Sequence, residues 1–252
     1  MSDDIEISAS IVLYKEDIQT LKLAVNCFLQ VPLKKKLFLI DNSPSNSLES
    51  LIKHPEIEYI FNDKNLGFGT AHNLVLEKLN SEYHLILNPD VTFNSNVLPC
   101  LIHELNTQEA VAMISPKIVY PDGSTQYYCR KYPTFSELIY RRLGIFKSKT
   151  QLSEYRNLDL TQPFFPECMH GCFMLFKTAD FANIKGFDER YFLYMEDIDI
   201  CKKIDVINKK KMYYPSVSIK HLHQRGSAKN GTLLFHHLIS AFLDGYLFHI
   251  LS

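Results

Sequence analysis

The chain contains no tryptophan, and its 252 residues include only nine glycines and eleven prolines. That supply excludes a collagenous repeat or a long Gly/Pro-rich linker. There is no surplus of charge: 27 Lys and Arg stand against 28 Asp and Glu, a formal net charge of −1. A dedicated nucleic-acid binder ordinarily carries a basic excess, so no nucleic-acid partner is expected. No apolar run is long enough to span a bilayer. The opening MSDDIEISAS has neither a basic stretch nor an apolar one, and does not read as a signal peptide. The expected compartment is therefore the cytoplasm, with the six cysteines reduced. Cys168-Met169-His170-Gly171-Cys172 offers three soft ligands, but no second pair stands at zinc-site spacing. Small buried thiols are the expectation there.

What is present is an ordinary globular composition, 46% hydrophobic and 22% charged, with 17 Phe and 14 Tyr as the aromatic stock. The length suits one α/β domain with a substantial core. The β-branched run Ile5 to Tyr14 predicts a buried first strand. Further strands are expected at Leu37–Ile40, Glu56–Phe61, His84–Leu87, Val111–Val119, Phe173–Phe176 and Met212–Ile219. Helical patterns fall over Asp17–Leu29, Ser47–Lys53, Thr70–Leu79, Val97–Leu105, Thr178–Ile184, Glu196–Ile207 and Leu233–Leu251. This alternation predicts a parallel, doubly wound sheet. Arg130 to Gln162, polar, basic and aromatic, reads as a loop-and-helix excursion over the site. In such sheets ligands bind beyond the carboxyl ends of the strands, where Asp41 and Asp90 both fall.

Four segments have the residue types for chemistry. Asn65-Leu66-Gly67-Phe68-Gly69-Thr70-Ala71-His72-Asn73 is a glycine turn between a strand and a helix. Its amides could face a diphosphate, or the turn could simply need a positive φ at Gly67 or Gly69. His72 stands where a dinucleotide fingerprint requires a small residue, and the turn follows the third strand rather than the first. Asn88-Pro89-Asp90 caps a strand with one carboxylate, suited to a hard cation shared with phosphates or to an Asx turn. Glu196-Asp197-Ile198-Asp199 places three acids at a helix start, after the aromatic run Tyr191 to Tyr194. Mutual repulsion there can raise one pKa and create a general base. His221-Leu222-His223-Gln224-Arg225-Gly226-Ser227 supplies a metal ligand and a phosphate-pairing arginine, or else a polar turn.

In this order, from about Ile7 to Phe242, the segments resemble a family 2 inverting glycosyltransferase of the GT-A fold. Arg130-Lys131-Tyr132-Pro133 and the His-x-x-Gln-Arg-x-Ser pattern at 221–227 are similar to the rhamnosyltransferases of bacterial O-antigen and capsule assembly. The resemblance implies a mostly parallel Rossmann-like sheet flanked by helices, in a single domain over 1–252. About 1–120 would bind the nucleotide-sugar, and about 121–252 the acceptor, ending in a C-terminal helix. Asp41 would contact the base or ribose, with Tyr14, Asn65, Gly67, Phe68, Gly69, Asn73, Asn88 and Arg225 also on the donor side. Asp90 matches the last acid of the family's DxD motif, and Asn88 replaces the first. With His221, or His223 in its place, Asp90 would hold Mg²⁺ or Mn²⁺. Asp197 matches the base, with Glu196 and Asp199 on the acceptor side. Lys15 departs from the Asn found after the first-strand Tyr in many members.

The expected partners are a nucleotide-sugar, dTDP-L-rhamnose first, and a lipid-linked glycan acceptor. UDP-galactose or a UDP-N-acetylhexosamine on the same fold is the alternative donor. A silent nucleotide-sugar-binding module is the alternative class. The apolar stripe Phe235, Leu238, Ile239, Phe242, Tyr246 and Ile250 fits core packing or an interfacial helix. With Arg141, Arg142, Lys147 and Lys149, an interfacial helix would give peripheral contact with the inner face of the plasma membrane.

Overall fold

A computed structural model describes residues 5–133 and 151–222. Its framework follows local propensity closely. The β-branched run forms strand β1, Ile7–Leu13, buried along almost its whole length. Helix α1, Ile18–Leu29, starts where the Asp17 carboxylate accepts the Thr20 N–H at 2.8 Å, and it buries Leu21, Ala24, Val25 and Phe28. Strands β2 (Lys35–Asp41) and β3 (Ile57–Phe61) follow, then helix α2 (Phe68–Asn73) and strand β4 (Tyr83–Leu87). A two-residue strand β5, Val91–Thr92, precedes helix α3 (Val97–Thr107) and strand β6 (Val111–Val119). Two short strands, β7 (Cys129–Arg130) and β8 (Cys168–Met169), pair with each other. Strand β9 (Phe173–Lys177), helices α4 (Thr178–Asn183) and α5 (Glu196–Val206), and strand β10 (Lys210–His221) complete the described chain.

The main sheet has eight strands in the order β3-β2-β1-β4-β9-β6-β10-β5. The mostly parallel architecture holds, with β9 and β5 as the antiparallel members. The reason for β9 lies in the route of the chain. The segment before Phe173 lies at the carboxyl edge of the sheet, since Phe173 pairs with Leu87, the last residue of β4. A strand entering from that edge can only run back. The carboxyl ends of β1, β2, β4, β6 and β10 therefore share one edge, which collects Asp41, Asp90 and His221.

Three local expectations need correction. Ser47–Lys53 is not a helix but holds one 3₁₀ turn, Glu49–Leu51. The helix expected over Thr70–Leu79 stops at Asn73, where Leu74 and Val75 donate to carbonyls three residues back and tighten the coil. A separate 3₁₀ turn, Leu76–Lys78, follows. β5 was not expected, because two residues carry no periodicity. The segment at Leu233–Leu251 and the cations at 141–149 lie outside the described residues, as do His223 and Arg225.

Candidate active site

At the β2 end, Asp41 is fully buried and both its oxygens are engaged. Oδ1 accepts the Ser43 N–H at 2.8 Å, and Oδ2 accepts the Tyr59 hydroxyl. Burial and that carboxylate push the Tyr59 hydroxyl above its usual pKa. Asn42 ties this strand end to the glycine turn, its Nδ2 donating to Gly67 O at 3.1 Å and to Asn65 Oδ1 at 3.3 Å. Gly67 adopts φ +83°, and a Cβ there would stand 2.2 Å from Phe192 O. The Gly67 N–H donates to Asn65 Oδ1 and the Phe68 N–H to Phe192 O, both at 3.0 Å. Of the two readings of the turn, the positive φ is thus realised, and these two amides serve the protein itself. Asn73 makes a two-way bond to the Phe187 backbone, at 2.9 Å each way. Tyr14 stands exposed at the end of β1, with Lys15 Nζ 5.4 Å from its ring centroid.

At the β4 end, the Asn88 N–H donates to Cys172 O at 2.9 Å. Asp90 follows in the turn, and His221 reaches it because β10 pairs antiparallel with β5, His221 opposite Val91. His221 Nε2 stands 3.3 Å from Asp90 Oδ1. Gln126 clamps His221 from behind, Nδ1 to Oε1 at 3.0 Å and Nε2 to the His221 carbonyl at 2.7 Å. Burial works against a charged His221, but Cys172 and the Asp90 carboxylate outweigh it and push the imidazole up to about 10. Burial, and then the Asp90 charge, raise Glu16 to about 7, which places this acid in the same basin.

A divalent cation bound here would displace the proton on His221 Nε2, taking that nitrogen and an Asp90 carboxylate oxygen as ligands and leaving the remaining positions to a diphosphate and water. Among the described residues, no group of three or more His, Cys, Asp or Glu could hold a metal ion. Cys168 and Cys172 are buried and form no disulfide.

The acids at the start of α5 are sorted by their surroundings. Asp197 is half-buried, and its Oδ1 accepts the Ile198 N–H at 2.9 Å. Burial raises its pKa, while Arg130 and the Gly171 N–H hold the rise back. Glu196 is buried, its Oε2 has no hydrogen-bond partner, and burial with the Asp197 charge pushes it up to about 8. Asp199 lies within electrostatic reach of Lys203 and Arg190. Tyr194 and Met195, at φ 69° and 71°, carry two consecutive left-handed residues into the helix. Such backbone costs about 1–3 kcal/mol per residue and persists only where packing imposes it.

The segment His170-Gly171-Cys172 joins the two ends of the site. The His170 and His221 rings are 6.1 Å apart, and Gly171 serves Asp197. The structure thus collects Asp90, His221 and Asp197 around one segment, and Asp41, Asn65, Gly67 and Phe68 around another. Sequence reasoning missed Glu16, Asn42, Tyr59 and Gln126. Only Glu16 had a signal, an acid just beyond the carboxyl end of the first strand.

The curled, mostly parallel sheet with helices on its faces is the fold of the GT-A glycosyltransferases. The family model for glycosyl transferase family 2 matches residues 8–181, more than half of the chain, and the chain belongs to that family. It is 26% identical over 213 residues to the N-acetylglucosaminyl-diphospho-decaprenol L-rhamnosyltransferase of Mycobacterium tuberculosis, covering 78% of this chain and 68% of the relative. It is 27% identical over 198 residues to rhamnosyltransferase WbbL of Escherichia coli K12, covering 74% and 72%. The crystal structure of GalNAc-T7 with UDP, GalNAc and Mn²⁺ superposes with a TM-score of 0.67 at 18% identity over 86% of this chain. The chain spans 43% of that protein's length.

Proposed function

We propose that this protein transfers L-rhamnose from dTDP-L-rhamnose to a lipid-linked glycan, with inversion, at the cytoplasmic face of a membrane. The observation that carries the reading is the convergence of Asp90, His221 and Asp197 on the segment 170–172. The two rhamnosyltransferases among the relatives support the sugar, and the diphospho-decaprenol in the name of one supports the acceptor class.

The nucleotide lies along the β2 end, with Asp41 fixed beneath it, Tyr14 beside the base, and Asn65 to Gly69 and Asn73 forming the wall. Asp90 and His221 would hold Mg²⁺ or Mn²⁺, which would supply positive charge for the departing nucleotide, and Asn88 and Arg225 are assigned to the donor side. Asp197 takes the proton from the acceptor hydroxyl. The acceptor oxygen forms the new bond to the anomeric carbon on the face opposite the leaving group. The bond from that carbon to the diphosphate oxygen breaks, and the nucleoside diphosphate carries the electron pair away. Glu196 and Asp199 orient the acceptor side.

Calorimetry with dTDP-L-rhamnose, with and without Mn²⁺, tests the reading. Wild-type protein should bind the donor in a metal-dependent way, and Asp90→Ala should lose that dependence. Undiminished transfer in excess EDTA would reject the cation. Transfer from a UDP-hexose in place of dTDP-L-rhamnose would reject the donor. Flotation with liposomes carrying the acceptor tests the membrane site.

A further inference from the structure

After β6 the chain turns through Tyr120-Pro121-Asp122-Gly123, a segment with no chemistry of its own. The turn is built locally. Pro121 presets its second position, the Gly123 N–H donates to Tyr120 O at 2.9 Å, and Gly123 takes φ +86° with open space around it. Asp122 Oδ1 accepts the Ser124 N–H at 2.9 Å, and the Tyr120 N–H donates to Ser124 O at 2.8 Å. The chain therefore folds straight back on β6, with Val119 bridged to Thr125 and the Gln126 N–H donating to Ile118 O at 2.9 Å. β10 lies along the same end of β6, Lys220 opposite Val119. Gln126 and His221, 95 residues apart, are thus set side by side, and both are buried.

The two bonds between them fix more than position. A carbonyl only accepts, so the 2.7 Å contact to the His221 carbonyl comes from the Gln126 amide nitrogen. That leaves Oε1 facing His221 Nδ1 at 3.0 Å. An amide oxygen also only accepts, so Nδ1 has to carry the proton. The other ring nitrogen, Nε2, is the one turned to Asp90, at 3.3 Å. One side chain thereby sets where the end of β10 lies, which way the ring is turned, and which nitrogen is left for a ligand. A histidine that ligates a metal ordinarily donates its other N–H to a fixed acceptor, and loss of that acceptor is felt in metal affinity. Without it the ring could rotate, or keep its proton on Nε2 and offer a cation no lone pair.

Resting on the cation reading above, we propose that Gln126 is the positioning residue of the cation site: it holds His221 with Nδ1 protonated and Nε2 toward Asp90. It acts through His221. The turn at 120–123 then serves the site from outside it, by returning Gln126 to the end of β10.

Two substitutions separate the two bonds. Gln126→Glu keeps an oxygen for Nδ1–H and loses the donor to the His221 carbonyl. Gln126→Met keeps the length and loses both. In the metal-free full chain, proton NMR should show the His221 Nδ1–H as a hydrogen-bonded, slowly exchanging ring signal, assigned by its loss in His221→Asn. The signal should persist in Gln126→Glu and vanish in Gln126→Met. Mn²⁺ binding in the presence of dTDP, read by the EPR signal of the free ion, should weaken about 10–100-fold in Gln126→Met and stay at least as tight as wild type in Gln126→Glu. If thermal melting shows Gln126→Met unfolded, Gln126→Glu decides alone, because a residue needed only to cap the carbonyl would fail in that variant too. Mn²⁺ affinity unchanged in folded Gln126→Met, or lost equally in both variants, would overturn the proposal and leave the cation reading standing. Absence of Mn²⁺ binding by wild type, beside an intact Nδ1–H signal, would overturn the cation reading and the positioning role together.

Discussion

At the scale of single residues, neighbouring carboxylates in one helical turn have been given different work. Glu196 is buried with an unpartnered oxygen, and burial together with the Asp197 charge disfavours its charged form. Asp197 keeps Arg130 and the Gly171 N–H, which favour its charged form against the effect of burial. Those neighbours make Asp197 the base in the proposed mechanism. Asp197→Asn keeps the size and removes the basicity, and turnover should fall about 10²–10⁴-fold. Calorimetric donor binding should survive the substitution. Because a base works ionised and this pKa is raised, the wild-type rate should decline on acidification through a value above the ordinary carboxylate range. That limb should vanish in Asp197→Asn. A residual rate within about threefold of wild type would reject the assignment.

At the scale of elements, the site is held by short pieces that locate long ones. The glycine turn before α2 is locked to the loop before α5 by the Phe68–Phe192 backbone bond. A side chain at 67 meets Phe192 O at 2.2 Å in a backbone region that L residues avoid. Gly67→Ala should therefore destabilise the protein by about 1–3 kcal/mol, read by chemical denaturation. It should also weaken donor and acceptor together, since it displaces both walls. Loss of donor affinity with unchanged acceptor KM would contradict that coupling. The turn was visible in the sequence as two glycines between a strand and a helix. Its partner was not, because Phe192 contributes a backbone carbonyl, which any residue supplies. β5 is a similar case: two residues without pattern bring His221 to Asp90.

At the scale of the whole molecule, a polar seam runs under α2 through the face of the sheet. Ser8 and Ser10 on β1 bond both nitrogens of His84, at 2.7 Å and 3.0 Å, and Ser10 bonds His72 at 2.7 Å. Burial lowers His84 to about 3, and holds His72 well below its usual value. Unfolded histidine takes up its proton near pH 6.5, so each folded, neutral imidazole stabilises the fold above that pH. The contribution is lost on acidification, by about 1.4 kcal/mol per pH unit for each histidine. Denaturation of wild type and His84→Asn at pH 7 and pH 5.5 checks this. The variant should lose less stability on acidification, and an equal loss would refute it. The sequence by itself determined the alternation of strands and helices and the acids that fall at strand ends, because period and turn chemistry are local. It also carried Asp90, Asp197 and His221 as candidates through their order along the chain. Only the tertiary structure decided that β9 runs backwards and that His221 meets Asp90. It likewise decided that Asp197 has charge-stabilising neighbours while Glu196 lacks a partner for one oxygen. Those outcomes depend on contacts between residues far apart in the chain, and burial and partner geometry leave no periodic trace in the order of residues.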